Sequence, residues 1–366
     1  KRLIEESYES GDFDVDLNQI IEEESEIVAK LRNLAEYHIL YSRINAIFRS
    51  GGFTRTEQEQ NTVREISDNY LIKGKNTAIS TRAASICYYI KGLCAWTNRE
   101  FNDSYTFFNR TKEILDNNPK LKQDLGKRYT LTLFHLMRSY MDDANYDMAQ
   151  EMIENIRSLK DKKGFKSTDL SLKITSISII DQMNLYNLRG NFEAAYDFYE
   201  SNKKEVDIIL HKASKEQKIK LQYTNAYTLF GMQNFKGALS VLNDILNDNE
   251  QKLRQDIYSF ARILNLMVHY ELENYQLIEY SANSTLRYLK KIDRNYNIES
   301  FFVKQLKKVS KVVYDKGDAN FKELKEGLED YLKDNKERVI LDYIDVVSWT
   351  YSKVKAASFE DVVKGN

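Results

Sequence analysis

The residues able to do chemistry in this chain are dispersed. Four histidines, His38, His135, His211 and His269, fall on different predicted helices and never share a turn, so no His-His metal pair can be read from spacing. His135 and His269 each sit in the first helix of a predicted helix pair, where a packed or surface histidine is the expected reading. Cys87 and Cys94 are separated by about 10 Å of helix rise, too far to bridge on a straight helix. They are expected to be reduced, buried and structural, which suits a cytoplasmic protein. Carboxylates are plentiful, at 55 Asp plus Glu, so adjacent pairs arise by chance and no general acid or base stands out. Neither a phosphate-cradling glycine loop nor a nucleophile elbow is present. The expectation is a non-enzymatic chain without a cofactor or metal.

What does recur is a packing signature. An aromatic followed three positions later by a mostly small residue appears at Phe101/Ser104, Tyr146/Ala149, Phe192/Ala195, Phe235/Ala238 and Tyr275/Ile278. The aromatics are 45, 46, 43 and 40 residues apart. A small residue lets two helices approach closely while the aromatic fills the space between them. The stretch Lys220–Asp248 states the unit most clearly, with Leu221, Ala226, Leu229 and Phe230 forming one apolar stripe. After Gly231 and Asn234, the residues Phe235, Ala238, Leu239, Leu242 and Ile245 form a second. A weaker sixth copy is expected at Phe53, in the run GGFTRT.

This pattern resembles the tetratricopeptide repeat, whose turn reads Gly-x-Tyr-x-x-Ala. Gly190, Phe192 and Ala195 match that core, whereas Arg99, Ala144, Gln233 and Glu273 stand at the glycine position of the other copies. The repeats exceed the usual 34 residues, which lengthened helices would explain. Three further segments are similar to a group of uncharacterised tetratricopeptide-like proteins common in Bacteroidetes. They are Arg254–Lys291, EYHILYSRINAIFRSGGFTR near the start and DYIDVVSWTYSKV near the end. The resemblance implies an all-α fold, an α-α superhelix or solenoid of antiparallel helix pairs. It also implies a native segment ahead of Lys1, where the chain opens without methionine and inside a helix.

Composition agrees with that class. One proline and thirteen glycines in 366 residues permit long helices almost everywhere. A single helical-repeat domain is expected over 1–366: N-terminal helices with a degenerate repeat over 1–80, five repeats over 81–292, and capping helices over 293–366. A helix tail should end at Ser10-Gly11. Asp16 should cap the next helix, whose stripe is Ile27, Leu31, Leu34, Tyr41, Ile44 and Phe48, with His38 on the same face. Continuous helices are expected over 121–142, 192–209 and 339–354. The loop Lys160–Thr168 is the most basic and the best candidate for flexibility. The last helix, with Tyr343, Ile344, Val347 and Trp349, should cover the open end of the stack.

Fifty-four basic residues against 55 acidic ones leave no net field for nucleic acid, which is not an expected partner. No apolar run is long enough for a membrane span. In tetratricopeptide stacks the first helix of each pair lines the concave side. Counting back twelve, eight and five residues from each turn aromatic gives the candidate groove, of which Tyr89, Trp96, Phe134, Arg138, Asn184, Asn187, Tyr223, Tyr227, Phe230 and Tyr270 are singled out. Rigid aromatics with a few directional donors suit a peptide or protein segment. The competing expectation is that lengthened helices shift the register and these aromatics pack between repeats. A second functional reading is a sensor that binds a small peptide or metabolite and controls an N-terminal effector.

Overall fold

Every regular element among the described residues is helical. The structure, a computed structural model, describes residues 17–251, 253–292, 296–317 and 319–365. The expected cap at Asp16 and the helix tail before Gly11 lie outside them. No helix among them is long and apolar enough to cross a membrane.

The N-terminal part is α1 (Leu17–Gly51), α2 (Glu57–Asp68) and the single turn α3 (Tyr70–Lys73). Five pairs follow: α4 (Thr81–Thr97) with α5 (Phe101–Asp116), and, after the turn α6 (Pro119–Asp124), α7 (Gly126–Asp142) with α8 (Tyr146–Ser158). Next come α9 (Thr168–Leu188) with α10 (Phe192–Ser201) and α11 (Lys203–Lys212), α12 (Lys215–Gly231) with α13 (Phe235–Leu246), and α14 (Gln255–Glu271) with α15 (Tyr275–Ile292). Helices α16 (Asn297–Tyr314), α17 (Lys322–Tyr331), α18 (Val346–Lys355) and α19 (Phe359–Lys364) complete the chain. Each helix packs on the next, and first helices touch one another from α7 to α9, α12 and α14.

The turns explain the signature. Phe101, Tyr146, Phe192, Phe235 and Tyr275 each open the second helix of a pair, and the residue three further on is fully buried in all five. Two positions before each aromatic, Arg99, Ala144, Gly190, Gln233 and Glu273 have φ between 54° and 70°. Their N–H groups reach back to Trp96, Met141, Asn187, Phe230 and Tyr270, and the next N–H in each case bonds one residue further back. This double bond pattern closes a helix with a left-handed residue. Gly190 alone has the preferred residue there, and its place against Glu360 and Lys364 of α19 leaves no room for a Cβ, which would lie 2.7 Å from Lys364 Cγ. Gly231 is required for a different reason, since the Phe192 ring would lie 2.2 Å from its Cβ. The four non-glycine turns carry left-handed strain. Ala144→Gly is therefore expected to raise stability by about 1 kcal/mol, read as a higher urea midpoint at unchanged slope.

Several elements depart from expectation. Phe53 is buried but does not open a helix; α2 starts four residues later behind a Thr56/Glu59 capping box. The helix expected over 121–142 breaks at Leu125, and that over 192–209 breaks at Asn202, whose side chain donates to the Phe198 carbonyl at 2.7 Å. The basic loop is pinned by Phe165, 1% exposed and edge-on to Tyr129. On α1 the core face is Tyr37, Leu40, Ile44 and Ile47, whereas Ile27 and Leu31 point outward.

The C-terminal region also differs. The stretch 339–354 is a 3-10 turn (Glu337–Asp342), a non-helical break at Tyr343–Asp345, and α18. It turns inward against the first helices: Tyr343 stacks on Phe260 at 4.2 Å, and the Trp349 indole N–H donates to Glu271 at 2.5 Å. The N-terminal region meets it there. Helix α1 packs on α14, Tyr296 donates to the Thr54 carbonyl at 2.9 Å, buried Arg55 and Glu299 pair at 3.2 Å, and Arg99 pairs with Asp342. The N-terminal and C-terminal regions thus meet each other beside the first helices.

Candidate functional site

The helices α1, α4, α7, α9 and α12, with residues between Leu332 and Ser348, line a cavity of about 1350 Å³. Eight of the ten groove residues singled out line it: Tyr89, Trp96, Phe134, Arg138, Asn184, Asn187, Tyr223 and Tyr227. Phe230 and Tyr270 are not on its wall. Phe230 lies under Phe359 at 5.6 Å and Tyr270 against Trp349 at 5.6 Å, because the C-terminal helices occupy that part of the inner face.

Burial is uneven along the wall. Tyr89, Trp96 and Tyr223 are buried by neighbouring helices, while Phe134, Arg138, Asn184 and Tyr227 remain partly open to the cavity. The inner-face helices thus use their aromatics both for packing and for lining. Asn187 exchanges hydrogen bonds with Thr228 across α9 and α12 at 2.9 and 3.1 Å, which fixes that amide. Asn184 accepts from Thr224 at 3.4 Å and donates to Asp181 at 3.3 Å.

Two tyrosines hold main chain rather than side chain. The Tyr223 hydroxyl donates to the Tyr343 carbonyl at 3.1 Å, and the Asp345 N–H donates to the Tyr227 hydroxyl at 3.3 Å. A non-helical backbone leaves such groups unsatisfied, and the inner face supplies the partners. Next to them, the buried Asp256 receives the Arg254 guanidinium and the Tyr343 hydroxyl, the latter at 2.5 Å.

Charge divides the cavity into zones. At one corner Glu216 is shared by Lys220 at 3.2 Å, Arg254 at 3.5 Å and Arg49 at 3.8 Å. Burial alone would raise its pKa, but Lys220, Arg254 and Lys173 overcome that and hold it down at about 2. Lys173 also faces this corner; burial lowers it to about 8, and Lys220, Lys127 and Arg49 add repulsion. In the other zone Arg138 stands 3.8 Å from Asp181.

His135 is enclosed by rings. It stacks on Phe108 at 4.2 Å, with Phe48, Tyr89, Trp96 and Phe134 edge-on within 6.1 Å. Burial first, and then Lys220, Arg138 and Lys173, push its pKa down to about 3, and its Nδ1 has no hydrogen-bond partner. It is a packed histidine in chemistry and position. His38 and His269 belong to α1 and α14, and His211 to the exposed end of α11, so the four never converge. Cys87 and Cys94 are free and buried, and burial raises both thiols. Among the described residues no group of three or more His, Cys, Asp or Glu is placed to hold a metal ion.

The residues that sequence reasoning missed are Tyr41, Phe48, Lys173, Glu216, Lys220 and the segment around Tyr343. Lys173 and Lys220 had a readable signal, since each lies one or two turns nearer the start of its helix than a predicted groove position. The inward course of Tyr343 had none, because it depends on contacts more than eighty residues away in the chain. Comparison with protein-family models, with curated proteins and with solved structures returned no match.

Proposed function

We propose that the chain is a non-enzymatic binding module, a tetratricopeptide-like solenoid whose first helices present a concave face to a peptide or protein segment. The observation that carries this reading is the pair of hydrogen bonds to main chain at the break Tyr343–Asp345, where Tyr223 donates to the Tyr343 carbonyl and Tyr227 accepts from the Asp345 N–H. Side chains of the inner face satisfy the polar groups of a non-helical backbone there, as a face that holds a peptide must. The size of the cavity supports a peptide over a small molecule, since about 1350 Å³ exceeds the range of about 300–1,000 Å³ usual for small ligands. Partly open Phe134, Arg138 and Asn184 supply a rigid aromatic, a charge and an amide with which to discriminate among sequences.

Selection of a random peptide display library on the purified chain tests it. Peptides enriched on the wild type should bind a Phe134→Ala, Asn184→Ala double variant at least about tenfold more weakly, since a buried anchor is worth 2 kcal/mol or more. Equal recovery on both proteins would refute the reading. A sensor array controlling a further segment is the second reading. It is favoured by the place of Leu341–Asp345 on the wall of the cavity, because ligand entry is then linked to the position of that segment. Faster amide exchange of residues 337–349 on addition of a selected peptide would support it.

A further inference from the structure

The basic corner of the cavity holds more positive charge than its own carboxylates balance. Lys220 and Arg254 both reach the same Glu216 oxygen, Oε1, at 3.2 and 3.5 Å, and Arg49 reaches the other at 3.8 Å. Lys173 faces the same corner within range of the charges of Lys127, Lys220 and Arg49. It makes no hydrogen bond or ion pair with any described residue. On the acidic side, Asp256 is spent on Arg254, Asp124 is paired with Arg82 at 3.0 Å, and Asp169 lies one turn before Lys173 without pairing to it. Even with Asp169 counted, the five cations Arg49, Lys127, Lys173, Lys220 and Arg254 face the three carboxylates Glu216, Asp256 and Asp169, a surplus of two charges. The fold concentrates this charge. Lys173 and Lys220 are each the sixth residue of their helices, α9 and α12, and Lys127 is the second of α7, so the positive N-terminal turns of three first helices gather at one end of the cavity. Cations held together in a cleft without their counter-charge mark a binding site.

We propose that this corner binds a phosphoryl group carried by the peptide segment, an inference that rests on the reading of the cavity as a peptide site. The donors favour phosphoryl over carboxylate. The planar fork of Arg254, which would suit a carboxylate, is already taken by Asp256. What remains are ammonium groups, which act as point charges and arrive from three different helices. A phosphoryl group offers them three acceptor oxygens and close to two negative charges at neutral pH, which matches the surplus. A single carboxylate would leave half of it uncompensated. Glu216 competes with the ligand for Lys220 and Arg254, and so limits the affinity of the corner while holding its cations in place.

Two probes test it. Inorganic phosphate at about 20 mM should raise the melting temperature by about 2 °C over sodium chloride of equal ionic strength. The rise should vanish in a Lys173→Gln, Lys220→Gln variant, which a general salt effect would not bring about. Glu216→Gln removes the competing acceptor and should bind phosphate at least threefold more tightly, a gain that damage to the fold cannot produce. The second probe is a random peptide library synthesised with a central phosphoserine, set against the same library with serine or glutamate at that position. The wild type should retain the phosphoserine library at least tenfold above the other two, and the double lysine variant should retain all three alike. A phosphate effect with no library retained would uphold the corner and refute the peptide reading. Equal retention of the three libraries without a phosphate effect would overturn the corner and leave the peptide reading standing. Glutamate retained as well as phosphoserine would overturn the phosphoryl assignment in favour of a carboxylate.

Discussion

Replacing Asp256 with alanine should destabilise the chain by about 3–5 kcal/mol, the cost of leaving a buried cation without its partner. Asp256 is 1% exposed and takes two bonds from the Arg254 Nε, at 2.9 and 3.1 Å, besides one from Nη2. Without it, Arg254 keeps only Glu216 at 3.5 Å, and Glu216 already serves Lys220 and Arg49. The Tyr343 hydroxyl loses its acceptor at the same time. The loss should therefore appear twice, as a lower urea midpoint and as faster amide exchange across residues 337–349. Tyr343→Phe separates the two effects, since it leaves the ion pair intact and should cost about 1 kcal/mol, one net hydrogen bond. The sign of the pH dependence follows from the same network. Burial opposes ionisation of Asp256, but Arg254 and Tyr343 hold its pKa at about 2, below its unfolded value. Its contribution is present above about pH 4 and disappears as the pH falls through 2. An Asp256→Ala variant within 1 kcal/mol of the wild type would contradict this account.

His135→Phe should remove most of the acid sensitivity between pH 6.5 and 3. The folded chain resists protonation of His135 down to about pH 3, while the unfolded chain takes up the proton near pH 6.5. Within that window the unfolded state binds more protons, so stability falls as the pH falls. At pH 5 the histidine should cost about 2 kcal/mol relative to pH 7.5. Phenylalanine keeps the stacked ring against Phe108 and discards an Nδ1 that has no partner. The variant should match the wild type within about 1.5 kcal/mol at pH 7.5 and gain about 2 kcal/mol on it at pH 5. Parallel stability curves for the two from pH 7 to pH 5 would contradict the assignment.

Helix pairs were legible in the residues because their causes are local. An aromatic, a small residue three positions on and a left-handed residue two positions before it are settled within one turn, and all five pairs begin where that spacing says. The register counted from those turns puts eight of the ten positions along the cavity wall, of which Phe134, Arg138, Asn184 and Tyr227 are partly open and Tyr89, Trp96, Asn187 and Tyr223 are buried by their neighbours. Phe230 and Tyr270 depart from it because Phe359 and Trp349 arrive from far along the chain. The two-faced character of α1 was hidden, because apolar residues on opposite sides of a helix still read as one run until a neighbour shows which side is covered.

What the amino-acid order determined alone is the all-helical class, the five hairpin turns and the first-helix register, each set by contacts a few residues apart. The meeting of the N-terminal and C-terminal regions was decided by tertiary structure. Arg55 meets Glu299 across 244 positions and Arg99 meets Asp342 across 243. Periodicity encodes which way a side chain points on its own helix. It carries no information about which distant segment comes to lie against it, so the cavity, its charge zones and the tyrosine-held backbone became visible only once those distant segments were in place.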